Sequence, residues 1–446
     1  MMYPLPDASM VLCRLLPYRG IDLFKIVIFA FMIKNRQRMD MKDIFKHKLM
    51  NWMTLLWGAG LIACGEAGDR ITVEVDNESD VAVSGKMVEL PLADLQQRFS
   101  GEKRSFRVLD AAGGEIPSQL TYDSLLIFQV SLPAGHSAQF TIQPTDQQPD
   151  YPPLVGGRVY PERDDDMAWE NERVGFRAYG PALQRRGERG FGYDLFFKHP
   201  NKGLVLEQIY ARATNPGNGA KVDSLRAIDP QLARAFMDSV SYHIDHGLGM
   251  DCFLVGPTLG AGVAAPLMGD TLAFPWCYEQ AEVLDNGPLR FTFRLDFAPR
   301  TLGEQAEVVE HRLISLDAGS QFNRTQVWYE HQTAPIALAT GFPVRDDGAT
   351  ADEASPLNRI AYSHPPQWEG NGRALLGVAV PDCPAEIKRQ CGHLLVVRTL
   401  LPGERQTYYW GFQWQQLEEK GLGTWVPEMD AEIQAIQRPL TIRINY

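Results

Sequence analysis

No apolar run in this 446-residue chain reaches the roughly 20 residues needed to cross a bilayer as a helix. Met50–Gly60 is too short, and Ile21–Ile33 is also short and is interrupted by Lys25. Cysteine is scarce: Cys13, Cys64, Cys252, Cys277, Cys383 and Cys391 show no spacing of a structural zinc site. Basic charge is short as well, with 43 lysines and arginines against 55 acids. Residues 1–64 hold 9 of the bases and 4 of the acids, which leaves 34 against 51, a net of −17, in the rest. Such a surface repels nucleic acid at long range, so no nucleic-acid partner is expected. Several motifs are missing too. There is no Gly-x-Ser-x-Gly elbow and no His-Glu-x-x-His. Gly256–Gly262 is glycine-rich but lacks the lysine of a phosphate-binding loop, and reads as a turn carrying backbone past a site.

What is present first is an address. Lys42, Lys46 and Lys48 precede the apolar run Met50–Gly60, which leads into Leu61-Ile62-Ala63-Cys64. A charged region, a short apolar region and small residues before a cysteine form a bacterial lipoprotein signal. Cys64 is the expected lipidation site, residues 1–64 are the signal region, and its complete signal starting at Met41 implies an over-extended gene start. The mature chain is then extracytoplasmic, in the periplasm or at the outer membrane, and touches membrane only through its lipid. ATP and soluble nicotinamide cofactors are not dependable there, and no cofactor is expected. Four cysteines remain in an oxidising compartment. Cys383 and Cys391 bracket a short loop and could bridge; free buried thiols are the alternative.

Glycine and proline total 69 and aromatics reach 10%, the mark of a β-dominated chain. Period-two alternation at Ile71, Val73 and Val75, at Phe106 and Val108, and at Phe128, Val130 and Leu132 predicts a small β-sandwich over 70–145, with one short helix from Leu92 to Phe99. A proline-rich connection follows. Strands are expected at 289–297, 308–316, 321–329, 375–380, 393–399 and 407–414, in one large antiparallel two-sheet domain over 159–446. Helical pattern is scarce there. Asp229-Pro230 marks one short helix, with aspartate as cap and proline in the first turn.

Two polar clusters stand out. Tyr242-His243-Ile244-Asp245-His246-Gly247-Leu248-Gly249-Met250-Asp251 carries groups that give and take protons near neutrality. Tyrosine can protonate a leaving oxygen, and aspartate can orient an imidazole. In extended backbone His243 and Asp245 share a face and His246 points away. A divalent cation near His243, Asp245 and Asp251 is one rival reading, and a hydrogen-bonded structural turn is another. In the second cluster Trp169, Arg173, Gly175, Arg177 and Tyr179 are alternate residues. One strand would gather them on one face, a tryptophan plate with two guanidinium forks that suits a sugar carrying a carboxylate. Glu170 and Asn171 lie close enough to add a carboxylate and an amide. A solvated strand with a salt-bridge ladder is the plainer alternative. Tyr408, Tyr409, Trp410 and Trp414 are mostly core by pattern, with some available to line a saccharide groove.

Asp166–Pro181, Tyr242–Asp251 with Val255-Gly256-Pro257 and Gly260-Ala261-Gly262, and Asn286–Arg290 together resemble the hallmarks of the domain-of-unknown-function family 4861. The resemblance covers most of 70–440. It implies an exported protein, found mainly in Bacteroidetes, in polysaccharide-degradation settings, and a galactose-mutarotase-like supersandwich for the larger domain. Leu248 departs from the expected pattern, where a more polar residue would stand. On that resemblance the expected function is acid/base chemistry on uronate-containing oligosaccharides, by a lyase, hydrolase or epimerase. For elimination, Arg173 or Arg177 would hold the carboxylate, His243 or His246 would take the C5 proton, and Tyr242 or Tyr179 would protonate the leaving oxygen. For hydrolysis, Glu170 and Asp245 would be the carboxylate pair. The alternative is a surface glycan-binding lipoprotein without turnover.

Overall fold

A computed structural model describes residues 70–96, 99, 105–345, 351–352, 357–381, 383–416 and 421–445. The lipidation residue Cys64 and the rest of the signal region lie outside these. The described chain is mostly antiparallel strand, in several sheets.

Alternation in the N-terminal segment does what period two requires. Ile71, Val73 and Val75 turn inward and are fully buried, while Thr72 and Glu74 face out. Their strand, Ile71–Asp76, lies in a five-stranded sheet with Ser137–Thr145, Ser105–Leu109 and Glu115–Ile116. Facing it, Val83–Pro91, Leu125–Leu132 and Ser118–Leu120 form a three-stranded sheet. Phe106, Phe128 and Phe140 fill the shared core. The short helix near Leu92 runs from Leu92 to Gln96. The fifth strand of the first sheet is the chain's last, Thr441–Asn445, which pairs with Ile71–Asp76. That segment was expected among the large sheets; it instead covers an edge that would otherwise offer unpaired amides.

Three sheets surround the main core. The first runs Gly249–Met250, Asp194–Lys198, Gly175–Ala178, Asp166–Asn171, Val155–Tyr160. The second is built on Ala264–Met268, Ile336–Pro343 and His393–Leu400. The third, of nine strands, includes Arg290–Asp296, Gln305–Asp317, Phe322–Glu330, Arg405–Gln415 and Arg373–Ala379. Each of the six strands expected in this region is present. Their inward residues interlock: Tyr193 stacks on Trp410 at 4.2 Å and 11°, and Trp169 meets Phe293 at 4.6 Å.

Helix is more plentiful than its pattern indicated. Leu206–Ala213 (α1), Gly217–Ile228 (α2) and Pro230–Val240 (α3) form one insertion, and Leu422–Gln437 (α4) packs on the nine-stranded sheet. Asp229 caps α3 as expected, its Oδ1 accepting from the Gln231 amide at 2.8 Å. α2 escaped notice because it has no buried residue, hence no apolar stripe to read. α4 lies close because Gly377 has no side chain; a Cβ there would sit 2.8 Å from Met429 Sδ.

Candidate functional site

A cleft with two chambers opens where the strands Asp194–Lys198 and Arg405–Gln415 end. The smaller chamber has a volume of about 760 Å³ and is bounded by His199, His243, Asp245, Trp368 and Asn371. The larger, of about 1390 Å³, is bounded by Arg173, Asn201, Gln321, Gln413 and Gln415. Trp414 and Gln416 border both.

The smaller chamber is built around a tight turn. Asp245 Oδ1 accepts from the amides of Gly247, at 2.8 Å, and Gly249, at 3.1 Å. Gly249 is required by its backbone: φ is +120°, and a Cβ would fall 1.9 Å from the Phe197 carbonyl oxygen. Held this way, Asp245 turns Oδ2 to His199, whose Nε2 donates to it at 2.6 Å. Gln416 Nε2 donates to His199 Nδ1 at 3.0 Å. A carboxylate on one nitrogen and an amide donor on the other fix His199 as the neutral Nε2–H tautomer. Partial burial works against the Asp245 charge, but the His199 hydrogen bond and the two amides outweigh it and hold the carboxyl below its ordinary range.

His243 is fixed in the opposite sense. Its Nδ1 lies 2.9 Å from the Asp251 carbonyl oxygen, which can only accept. Nδ1 therefore carries the proton, and in the neutral ring Nε2 bears the lone pair. The ring lies 4.3 Å from Tyr242 and 6.2 Å from Trp368, which is exposed. Trp414 forms the divider between chambers; its Nε1 donates to the Asn371 carbonyl at 2.8 Å, and one face stacks on Phe197 at 5.4 Å.

Of the residues singled out from sequence, His243, Asp245 and Arg173 line the cleft, with Trp414 from the aromatic set. The others do not. His246 is bound through Nε2 to the Asp238 carbonyl at 3.1 Å, near the C-terminal end of α3. Tyr242 packs against the cluster under α1, and its hydroxyl accepts from Arg163 Nε at 2.9 Å. Trp169 is 0% exposed and donates to Asn323 Oδ1 at 2.7 Å, so it is core and offers no sugar platform. The one-strand expectation fails because the chain turns at 172–174: Trp169 pairs opposite Phe176 and Ala168 opposite Arg177. Asn171 makes that turn. Its Oδ1 accepts from the amides of Arg173 and Val174, and its Nδ2 donates to the carbonyls of Asp317 and Ser320. All its capacity is spent on the fold.

Arg177, Tyr179 and Glu170 are withdrawn as well. Arg177 is 2% exposed and is ion-paired with Asp194 and, at 2.8 Å, with Asp251; Asp166 stands 3.7 Å away. Tyr179 donates to Asp194 at 2.7 Å. Glu170 Oε1 accepts from the amides of Val205 and Leu206, both at 2.7 Å, where α1 begins, and Oε2 pairs with buried Lys198. An acceptor at a helix start suits a carboxylate. Burial is the largest influence on Glu170 and raises its pKa, against the pull of Lys198 and the two amides. Burial, then the charge of Asp194, push Asp251 up to about 6, against Arg177 and His243.

The metal alternative finds no ligand set. Asp251 is engaged by Arg177, Asp245 by His199 and two amides, and His243 Nδ1 by a carbonyl. Among the described residues no three histidine, cysteine or carboxylate groups are placed so that they could hold a metal ion. Cys252, Cys277 and Cys391 are free thiols, so the bridge considered between Cys383 and Cys391 is not formed.

Sequence reasoning missed His199, Trp368, Asn371 and Gln416. Each is a single polar or aromatic residue on a separate segment, and no local pattern joins them; Trp414 was visible only as one of several aromatics.

Fold and cleft define a β-rich protein with an imidazole-bearing, tryptophan-walled groove. The chain belongs to the domain-of-unknown-function family DUF4861, which it matches over residues 75–442. It is 24% identical over 389 residues to the uncharacterized protein P7 of Formosa agariphila, an alignment covering 84% of this chain and 93% of that protein. Two solved structures from Enterococcus faecalis, a protein in the glycosyl hydrolase family 38 and an alpha-mannosidase, share 9% and 10% identity with it. They align over 85% of this chain at a TM-score of 0.44, and this chain spans about half their length (48% and 46%). That likeness is too loose to bear on function.

Proposed function

We propose that this protein is an exported, lipid-anchored enzyme that transfers protons on a uronate-containing oligosaccharide, with β-elimination the reaction that fits its groups best. The observation that carries this reading is the pair of imidazoles held in complementary tautomers on one small chamber. His243 offers Nε2 as a base and takes the C5 proton. The C5 electron pair forms the C4=C5 double bond as the C4–oxygen bond breaks. His199, which takes a solvent proton on Nδ1 once a substrate oxygen displaces Gln416, gives that second proton to the leaving oxygen, with Asp245 as its counter-charge. Arg173 receives a sugar carboxylate, while Trp368 and Trp414 offer apolar ring surface. Epimerisation at C5 would use the same base. Hydrolysis is disfavoured because Glu170, one of its two expected carboxylates, is committed to Lys198 and α1.

The test is incubation with pectic, ulvan-like and glycosaminoglycan oligosaccharides. Elimination is read as ultraviolet absorbance of the unsaturated product, and epimerisation as solvent deuterium at C5. His243→Ala should lower turnover by roughly 10²–10⁴-fold, the usual worth of a positioned general base. His246→Ala should leave turnover unchanged. Retention of oligosaccharide without any product would favour a non-catalytic glycan binder and refute the enzyme reading.

A further inference from the structure

The cleft continues well past the imidazoles. Its larger chamber, about 1390 Å³, exceeds the roughly 300–1,000 Å³ of an ordinary small-molecule pocket. It contains neither histidine of the smaller chamber, and it meets that chamber at Trp414 and Gln416. Its polar wall is mostly carboxamide: Gln321, Gln413, Gln415 and Asn201. Carboxamides both donate and accept, as hydroxyl-rich ligands require. Arg173 is the exposed cation there, held by the Gly319 carbonyl through Nη1 at 2.8 Å and by Gln321 Oε1 through Nη2 at 2.7 Å. Five N–H groups belong to a guanidinium, so two such bonds orient it and leave donors for a carboxylate. Lys198 also borders this chamber, but its ammonium is spent on Glu170 and the Asn171 carbonyl.

We propose that the larger chamber is a second saccharide site, which binds the sugars flanking the reacting one and takes a uronate carboxylate on Arg173, so that the substrate is a chain and not a sugar or disaccharide. This rests on the reading of the smaller chamber as the reacting site. Trp414 separates the two sites, and a chain crossing it places one sugar beside the imidazoles and its neighbours along Gln415 and Arg173. Binding energy gathered remotely is spent on orienting the reacting sugar, so short substrates lose turnover as well as affinity.

Calorimetric titration of the full-length mature protein with oligogalacturonates and with glucuronate-containing glycosaminoglycan oligomers of graded length tests this. Affinity is expected to rise from the dimer to longer chains and then level off. Arg173→Gln should remove most of that rise, about 10- to 100-fold, the worth of hydrogen bonds to a charged group. Gln415→Ala, a milder change whose fold is checked by its melting transition, should remove part of it. His243→Ala should cut product formation by the same roughly 10²–10⁴-fold expected of turnover yet keep the length dependence. Equal affinity for dimer and longer chains, or an unchanged rise in both Arg173→Gln and Gln415→Ala, overturns the second site. Product formed without length dependence overturns it while leaving the proposed reaction standing. Length-dependent binding with no product supports the second site and sinks the reaction, and absence of binding by every oligomer overturns the site outright.

Discussion

Asp251→Asn isolates the charge buried behind His243. Asp251 lies with Asp194 on one guanidinium, that of Arg177, and Asp166 stands 3.7 Å from the same group. Burial, followed by the Asp194 charge, raises its pKa from an ordinary 3.8 to about 6. The folded chain therefore holds this proton more tightly than the unfolded chain between those two values. Stability is greatest below the window and falls as pH rises through it. At about 1.36 kcal/mol per tenfold change in proton affinity, the loss by pH 7 is about 3 kcal/mol. The asparagine keeps an oxygen for Arg177 and has nothing to titrate, and Arg177 retains Asp194. Urea unfolding followed by tryptophan fluorescence at pH 4.5 and pH 7 should show the difference in stability between the two pH values shift by about 2 kcal/mol from wild type to variant, the part of that loss that falls above pH 4.5. Asp166, Glu170 and Asp285, whose pKa values burial also raises, titrate in both proteins and cancel in that comparison. An unaltered pH dependence in Asp251→Asn would show that Arg177 fully neutralises both of its partners, and would refute the argument.

Three further outcomes follow from the same geometry. Glu170→Gln leaves the Lys198 ammonium buried without its counter-charge, and denaturant titration should register a loss of about 3–5 kcal/mol, against a smaller loss when Lys198→Met accompanies it. Trp169→Phe leaves Asn323 Oδ1 without its donor, so stability should fall by about 1–3 kcal/mol while KM for any substrate is unmoved; a raised KM would return Trp169 to the site. Gly249→Ala forces a side chain onto the Phe197 carbonyl at a φ of +120°, and both the melting temperature and turnover should drop, because the Asp245 turn cannot close.

Strands such as Ile71–Asp76 and Gln305–Asp317 were readable because one face is buried, which writes period two into the sequence, and Arg373–Ala379, buried on both faces, as a continuous apolar run. His243 and Asp245 both border the cleft, but through a turn and not through the extended backbone in which period two would pair them. The rule misled at Trp169, Arg177 and Tyr179 because it assumes one uninterrupted strand. Asn171 ends that strand by accepting two amides, and the register after the turn opposes Trp169 to Phe176. An asparagine three residues before Val174 and four before Gly175 is a turn signal, but weaker than the alternation around it. His199 and Trp368 left no local signal at all. Each is made functional only by segments that meet in space.

The misassigned charges share one cause. Glu170 and Arg177, expected from sequence to serve a bound sugar, belong with Asp166, Asp194 and Lys198 to a face that would be solvated if its sheet had only water beside it. Instead α1 packs there, with Ile209 and Tyr210 against Ala168 and Phe196. Covering a charged face is costly unless its charges are paired, and these are: Arg177 by Asp194 and Asp251, Lys198 by Glu170. The pairing also supports the cleft. Asp251, anchored by Arg177, presents the carbonyl that fixes His243, and Lys198, anchored by Glu170, immediately precedes His199 in the chain. The buried charges Asp166, Glu170 and Arg177 thus serve to hold two imidazoles that they never touch, which is why a search for reactive groups by composition finds the supports before the site.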